Sequence, residues 1–283
     1  MNFTVFILVM ISAFMHAGWN FAARTVSGNG LVIWLSNCLS AVLLTVSLFF
    51  IENPFGENGL TVQSFWLVTW SGLLHIAYYR LLGLAYNRGS VSVVYPIARG
   101  MAVGLLPVIL TLFGAEKLSI LGTVAIGIIF SGIVTIGLSV FKENKGRAVN
   151  IPIIIGFIII CYSIVDKAGA NQMNPVTYLW GMNLIYGPSQ AYWMYKKYKG
   201  FFRKTIRKHF KEVTLIGIAD PGCYLIILFC YTLGAASYIV AMREFSIVIA
   251  SALGFILLKE RYSKWHIIAI FLISSGMILM KLA

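Results

Sequence analysis

Long apolar runs recur from one end of this chain to the other, and no polar stretch between them is large enough to fold around a core of its own. A helix rises about 1.5 Å per residue, so crossing the roughly 30 Å of hydrocarbon in a bilayer takes about 20 apolar residues. Ten segments reach that length: 3–22, 31–51, 64–86, 90–113, 120–141, 151–168, 175–195, 213–234, 236–258 and 264–282. The runs are continuous and do not alternate apolar with polar, which excludes a transmembrane barrel. Helices remain, because hydrocarbon offers no partner to open backbone groups. The joins at 87–90 and 235 are so short that the helices flanking them must form tight hairpins. The expected fold class is all-α integral membrane, with ten transmembrane helices in one membrane domain.

Composition agrees, with 59% hydrophobic and 11% charged residues, where a soluble domain carries about 25% charged. The first segment has no basic leading region and no Ala-x-Ala site, so it is expected to be retained and not cleaved as a secretion signal. Cys38, Cys161, Cys223 and Cys230 fall inside the apolar segments without a Cys-x-x-Cys pair, which points to packing and away from disulfides or a metal site. No nucleotide-binding motif is present, so neither a cofactor nor direct ATP drive by this chain is expected.

The formal charge of +13 would suggest nucleic acid if it formed a patch on a soluble domain. Its distribution argues for membrane topology. Of 22 Lys and Arg, seventeen follow the odd-numbered segments: Arg24; Arg80 and Arg88; Lys142, Lys145 and Arg147; the eight from Lys196 to Lys211; and Lys259, Arg261 and Lys264. Only Lys117, Lys167 and Lys281 fall on the other side, and Arg99 and Arg243 lie within segments. The positive-inside rule then puts the odd-numbered loops in the cytoplasm and both termini outside a cytoplasmic (inner) membrane. The segment from Tyr195 to Lys211, YKKYKGFFRKTIRKHFK, alternates basic with aromatic residues and reads as a cytoplasmic topology determinant with a short interfacial helix. Lipid, and not nucleic acid, is its expected neighbour.

Sliding the sequence against itself by 144 residues superposes the fourth and fifth segments on the ninth and tenth. Arg99 falls on Arg243, Glu116 on Glu260, Lys117 on Arg261, Ser119 on Ser263, Ser131 on Ser275 and Gly132 on Gly276. Each copy, 1–146 and 147–283, holds five segments. An odd number makes the second copy enter the membrane from the opposite side, so the expected architecture is two inverted five-helix repeats. Such repeats characterise secondary transporters, which hold substrate near mid-bilayer and alternate between inward-open and outward-open forms. Small residues (Gly122, Gly127, Ser131, Gly132, Ser274, Ser275, Gly276) would let helices approach closely, within one chain or between two copies, so a monomer or homodimer is expected.

Ionisable side chains at membrane depth cost at least about 2.5–3.5 kcal/mol each, so each needs a partner or a purpose. Arg99 shares a helical face with Ser92, Tyr95 and Pro96, and Pro96 should kink that helix. Two guanidiniums, Arg99 and Arg243, suit a carboxylate, phosphate or phosphonate; alternatively they neutralise Asp166 or Glu244 and hold helices in register. Asp166, Asp220 and Glu244 are the carboxylates inside segments, hence the candidates for a coupled proton, with Pro96 as a gating candidate. His16, Trp19 and Asn20 share a face of the first helix, and His75 lies within the third. Tyr78, Tyr79, Tyr162, Trp180, Tyr224 and Tyr238 are candidates for aromatic walls around an organic solute.

The string HAGWN at His16–Asn20, the segment GSVSVVYPIARG at Gly89–Gly100 and the paired links at Glu116 and Glu260 resemble the EamA branch of the drug/metabolite transporter superfamily, over essentially the whole chain. That resemblance implies a carrier with a central cavity bounded largely by the first, third, fourth, sixth, eighth and ninth helices. It implies that His16, Trp19, Asn20, Tyr95 and Arg99 lie at or beside the cavity, with Arg243 and Asp166 as counterparts in the second copy. The copies differ, since Ala241 and Met242 precede Arg243 where Pro96 to Ala98 precede Arg99. The expected function is secondary transport of a small organic metabolite, anionic or zwitterionic, coupled to a proton or to an exchanged solute. Two other readings stand beside it. One is an integral-membrane enzyme on a lipid-linked substrate, against which no catalytic motif is found. The other is a channel or receptor built on the same fold.

Overall fold

A computed structural model describes residues 2–26, 29–55, 60–88, 91–143, 150–258 and 263–283. Among these residues all regular structure is helical and no strand occurs. The helices are α1 (Phe3–Thr25), α2 (Gly30–Leu48), α3 (Val62–Arg88), α4 (Val91–Leu112), α5 (Ile120–Glu143) and α6 (Asn150–Gln172). They continue with α7 (Pro175–Tyr186), α8 (Ala191–Tyr198), α9 (Phe202–Lys208), α10 (Phe210–Leu233), α11 (Ala236–Arg243), α12 (Phe245–Leu258) and α13 (Lys264–Leu282). Among the described residues seven stretches are long and apolar enough to cross a membrane, in α1, α2, α5, α6, α10 and α13 and over Ala236–Leu253. The other three expected crossings fall on α3, which is long but carries two Trp, three Tyr and His75; on α4, whose apolar stretch is Ile97–Leu112; and on α7.

Two expected helices differ from the sequence reading. The seventh, expected over 175–195, stops at Tyr186 because Pro188 has no amide hydrogen to continue the ladder. Gly187 leaves the helical region (φ −95°, ψ −94°), and Pro188–Gln190 form a single 3-10 turn before α8. The ninth, expected over 236–258, is interrupted at Glu244. There the Glu244 N–H bonds back three residues to Ala241 O (3.2 Å) and Ile247 N–H bonds to Glu244 O (2.9 Å). Tightened turns of this kind inside a helix are common at hinges and at points of strain. The expected hairpin at 235 is present, with α10 ending at Leu233 and α11 starting at Ala236. Of the join at 87–90, residues 89–90 lie outside the described residues.

The chain divides into two compact units, and neither is one of the two sequence copies. The first comprises Met1–Ala13, Ala77–Ile164 and Leu233–Ala283; the second comprises Phe14–Ile76 and Val165–Thr232. Within the first unit α5 packs against α13, its own counterpart under the 144-residue shift. Ile129 meets Gly276, Gly132 meets Ile273, and Ile136 packs with Ala269. Each step forward along α5 is matched by a step back along α13, so the two helices run antiparallel. A Cβ on Gly132 would stand 2.8 Å from Ile273 and 3.0 Å from the Ala269 carbonyl. One on Gly276 would stand 2.6 Å from Ile129 and 3.0 Å from the Ala125 carbonyl. Shifting the first set of residues by 144 gives the second, so the contact is reciprocal.

The second unit repeats the theme. There α2 packs against α7, again its counterpart. Trp34 Nε1 donates to Gly187 O (3.0 Å), and Trp180 Nε1 donates to Thr45 Oγ1 (2.9 Å), so these helices are also antiparallel. Gly217 of α10 receives Leu39 of α2, while Gly72 of α3 receives Ile185 of α7. Pro221 lies inside α10 and cannot bond the Gly217 carbonyl four residues back. Ser40 Oγ of α2 donates to that carbonyl instead, at 2.8 Å.

Gly276→Val should lower stability by about 1–3 kcal/mol, because no side chain fits between Ile129 and the Ala125 carbonyl without backbone movement. Gly127→Ala in the same helix pair meets open space and should be neutral or stabilising by up to about 1 kcal/mol. Unfolding of the purified variants in detergent measures both, and equal losses would contradict this packing.

Candidate functional site

In the second unit three hydroxyls converge on Asp166 of α6, whose side chain is fully buried. Ser71 Oγ of α3 donates to Oδ1 at 2.5 Å, Tyr178 OH of α7 donates to Oδ1 at 2.8 Å, and Tyr224 OH of α10 donates to Oδ2. One carboxylate thus ties four helices. Gly169, one turn beyond Asp166, makes this possible, since any side chain there would overlap the Tyr178 ring. His75 sits one turn from Ser71, with Nδ1 2.9 Å from the Ser71 carbonyl. Its ring stacks on Tyr186 (5.6 Å, 26°) and meets Tyr224 edge-on (5.6 Å).

A second group lies on α1 and α10 of the same unit. The His16 ring meets Trp19 edge-on at 5.3 Å, and His16 Nδ1 lies 4.0 Å from Cys223 Sγ, the neighbour of Tyr224 on α10. Asn20 donates back to the His16 carbonyl at 2.7 Å. Trp19 Nε1 and Asn183 Oδ1 are buried polar atoms with no hydrogen-bond partner among the described residues. Asp220 is half-buried on α10. Trp180 stands apart from both groups, bonded to Thr45 and edge-on to Phe55.

In the first unit Arg99 of α4 forms an ion pair with Glu244, whose side chain is fully buried at the break between α11 and α12. Arg243, the last residue of α11, is also buried, and the nearby Ser246 hydroxyl is buried with no hydrogen-bond partner among the described residues. The other end of α11 is held by the link between α4 and α5. Glu116 accepts the Ala236 N–H (2.5 Å), the Ser237 N–H (3.3 Å) and the Ser237 hydroxyl (2.5 Å). Ala235, the residue at the cap position, has no side chain to do this, and a carboxylate is favoured at the positive end of a helix. Beside it the Ser119 N–H donates to Tyr238 OH at 2.8 Å. Tyr78 meets both Tyr79 and Tyr162 edge-to-face.

The contacts within each unit gather several of the sequence-derived residues. His75, Asp166 and Tyr224 come together, as do His16 and Trp19, Arg99 and Glu244, and Tyr78 and Tyr162. Of the two roles open to the guanidiniums, Arg99 neutralises Glu244, while Asp166 is satisfied by hydroxyls. The side chains of Tyr95 and Pro96, and residues Lys145, Arg147, Lys259, Glu260 and Arg261, lie outside what is described. Sequence reasoning missed Ser71, Tyr178 and Tyr186. Ser71 and His75 at a spacing of four, like Asp166 and Gly169 at three, were the available signals. Of the four cysteines Cys223 and Cys230 are buried, Cys38 is half-buried, and Cys161 is exposed on α6.

No protein-family model and no curated protein matches this chain. Solved structures do: the crystal structure of another protein matches it with a TM-score of 0.70 over 100% of this chain and 98% of the other, at 15% identity. At that identity the likeness establishes a shared fold.

Tyr178→Phe and Tyr224→Phe each remove one donor to the Asp166 carboxylate and should cost about 1.5–3 kcal/mol of stability. Because they share one acceptor, the double variant should depart from the sum of the two losses. Tyr192→Phe, on an exposed ring, should leave unfolding in detergent unchanged.

Proposed function

We propose that this chain is a secondary transporter of a small anionic or zwitterionic organic metabolite, of the EamA branch of the drug/metabolite transporter superfamily. On this reading ten helices cross the inner membrane as two inverted repeats, α3, α4 and α7 completing the set, with both termini outside. The observation that carries it is the antiparallel packing of counterpart helices, α5 on α13 and α2 on α7. Inverted duplication requires counterparts to point in opposite directions, and alternating access uses that symmetry.

The Arg99–Glu244 pair supports the substrate class. A bare charge at membrane depth is expensive, so a carrier gains by trading one buried pair for another. The carboxylate or phosphate of a substrate takes the place of Glu244 on the guanidinium, which can bind two oxygens at once. When substrate leaves, the original pair re-forms. The exchange acts at the break between α11 and α12, where the helix is already interrupted, and interrupted helices are where such carriers bind substrate.

A thermal-stabilisation screen with amino acids, phosphonates, phosphorylated sugars and amines should find the ligand class, and counterflow in proteoliposomes then measures transport. Arg99→Ala and Arg243→Ala should each lower transport at least roughly ten-fold, the loss expected for one charge-assisted hydrogen bond. Removing one member of the Arg99–Glu244 pair should also cost about 3–5 kcal/mol of stability, and Arg99→Met combined with Glu244→Leu should recover most of it. Transport should stay lost in that double variant. Full transport there would reduce the pair to a structural role.

A further inference from the structure

The connection from α7 to α10 is one-sided in charge. Eight Lys and Arg lie between Lys196 and Lys211, all of them exposed. The nearest acid beyond them, Glu212, lies 3.9 Å from His209. The opposite face of this connection is packed. Thr205 is buried, Phe202 meets Trp34 of α2 edge-on at 5.9 Å, and Tyr195 lies against Phe202 at 6.1 Å. Trp34 also donates to the carbonyl that ends α7. Aromatic packing thus sets α8 and α9 against the start of α2 and turns the cations outward.

Tyr192, Trp193 and Tyr195 just ahead of the cations, and Phe201 and Phe210 among them, are each more than half exposed. Water alone makes such rings unfavourable, and hydrocarbon alone makes the cations unfavourable. The headgroup layer of a bilayer suits both, with rings at the level of the glycerol and cations against phosphates. Position agrees, because the connection leads directly into α10, a helix long and apolar enough to cross a membrane.

We propose that the α8–α9 segment is a binding site for the phosphate headgroups of anionic phospholipids, and that its occupation fastens the ends of α2, α7 and α10 to the membrane surface. This does not depend on what the chain transports. Each cation near an anionic surface strengthens binding on the order of five-fold, and salt weakens the attraction.

The test uses the full chain in a neutral detergent, titrated with phosphatidylglycerol or phosphatidylcholine. Thermal unfolding and the lipid retained in native mass spectra are the readouts. A variant carrying Arg203→Gln, Lys204→Gln, Arg207→Gln and Lys208→Gln keeps Lys196, Lys197, Lys199 and Lys211 to orient the protein. A second carries Arg203→Lys, Lys204→Arg, Arg207→Lys and Lys208→Arg and so keeps every charge. Phosphatidylglycerol should raise the unfolding midpoint of the parent and of the charge-preserving variant, while phosphatidylcholine does not. The glutamine variant should need at least roughly ten-fold more phosphatidylglycerol for the same shift. Should that variant fail to fold, Arg207→Gln with Lys208→Gln should show an intermediate change. Equal stabilisation by both lipids, or an unchanged titration in the glutamine variants, would overturn the proposal. So would glycerol phosphate matching phosphatidylglycerol at equal concentration, which would assign a site for free phosphate, or displacement of the lipid by an RNA oligonucleotide.

Discussion

Glycine against backbone holds the first unit together. At Gly132 and Gly276 the main chains of α5 and α13 approach until each glycine faces a carbonyl of the opposite helix. In hydrocarbon, burying another apolar side chain brings little gain, because lipid tails are as apolar as leucine; close packing and polar contact have to supply the association. Two glycines at reciprocal positions give that packing twice. The contact is also reciprocal under the 144-residue shift, since Gly132 meets Ile273 and Ala269 while Gly276 meets their matching residues Ile129 and Ala125.

Three buried charged groups, in the two units, are answered by groups on another helix or link. Arg99 has Glu244, Asp166 has three hydroxyls, and Glu116 has the amides that open α11. The answers differ in what they permit. Hydroxyls around Asp166 come from three helices and brace them together. The Arg99–Glu244 ion pair instead joins α4 to the break between α11 and α12. Under the 144-residue shift the positions matching Ser237 and Tyr238 hold Val93 and Val94, which have no hydroxyl to offer.

Much of this was legible from residue order. Apolar runs of sufficient length locate the helices, and the 144-residue shift by itself pairs α5 with α13. Asn29 and Asn174 stand before α2 and α7 as local rules favour, each accepting an N–H of the first turn. Other features depend on contacts that no local pattern carries. The early end of α7 was readable in principle, because Pro188 follows Gly187, yet the apolar run continues past it. The break at Glu244 has no proline to announce it. Tyr178 reaches Asp166 only because Gly169 clears a path across α6, and Ser40 serves Gly217 only because Pro221 cannot; both are relations between distant residues.

Oppositely directed copies are the claim on which the functional reading rests, and sidedness tests it most directly. Lys117 and Arg261 occupy matching positions in the two copies, in the links that precede α5 and α13. Single cysteines placed there in a background without Cys38, Cys161, Cys223 and Cys230 can be labelled with a membrane-impermeant maleimide in right-side-out and inverted vesicles. The account predicts that position 117 reacts from the outer face and position 261 from the cytoplasmic face. Labelling of both from the same face would contradict it.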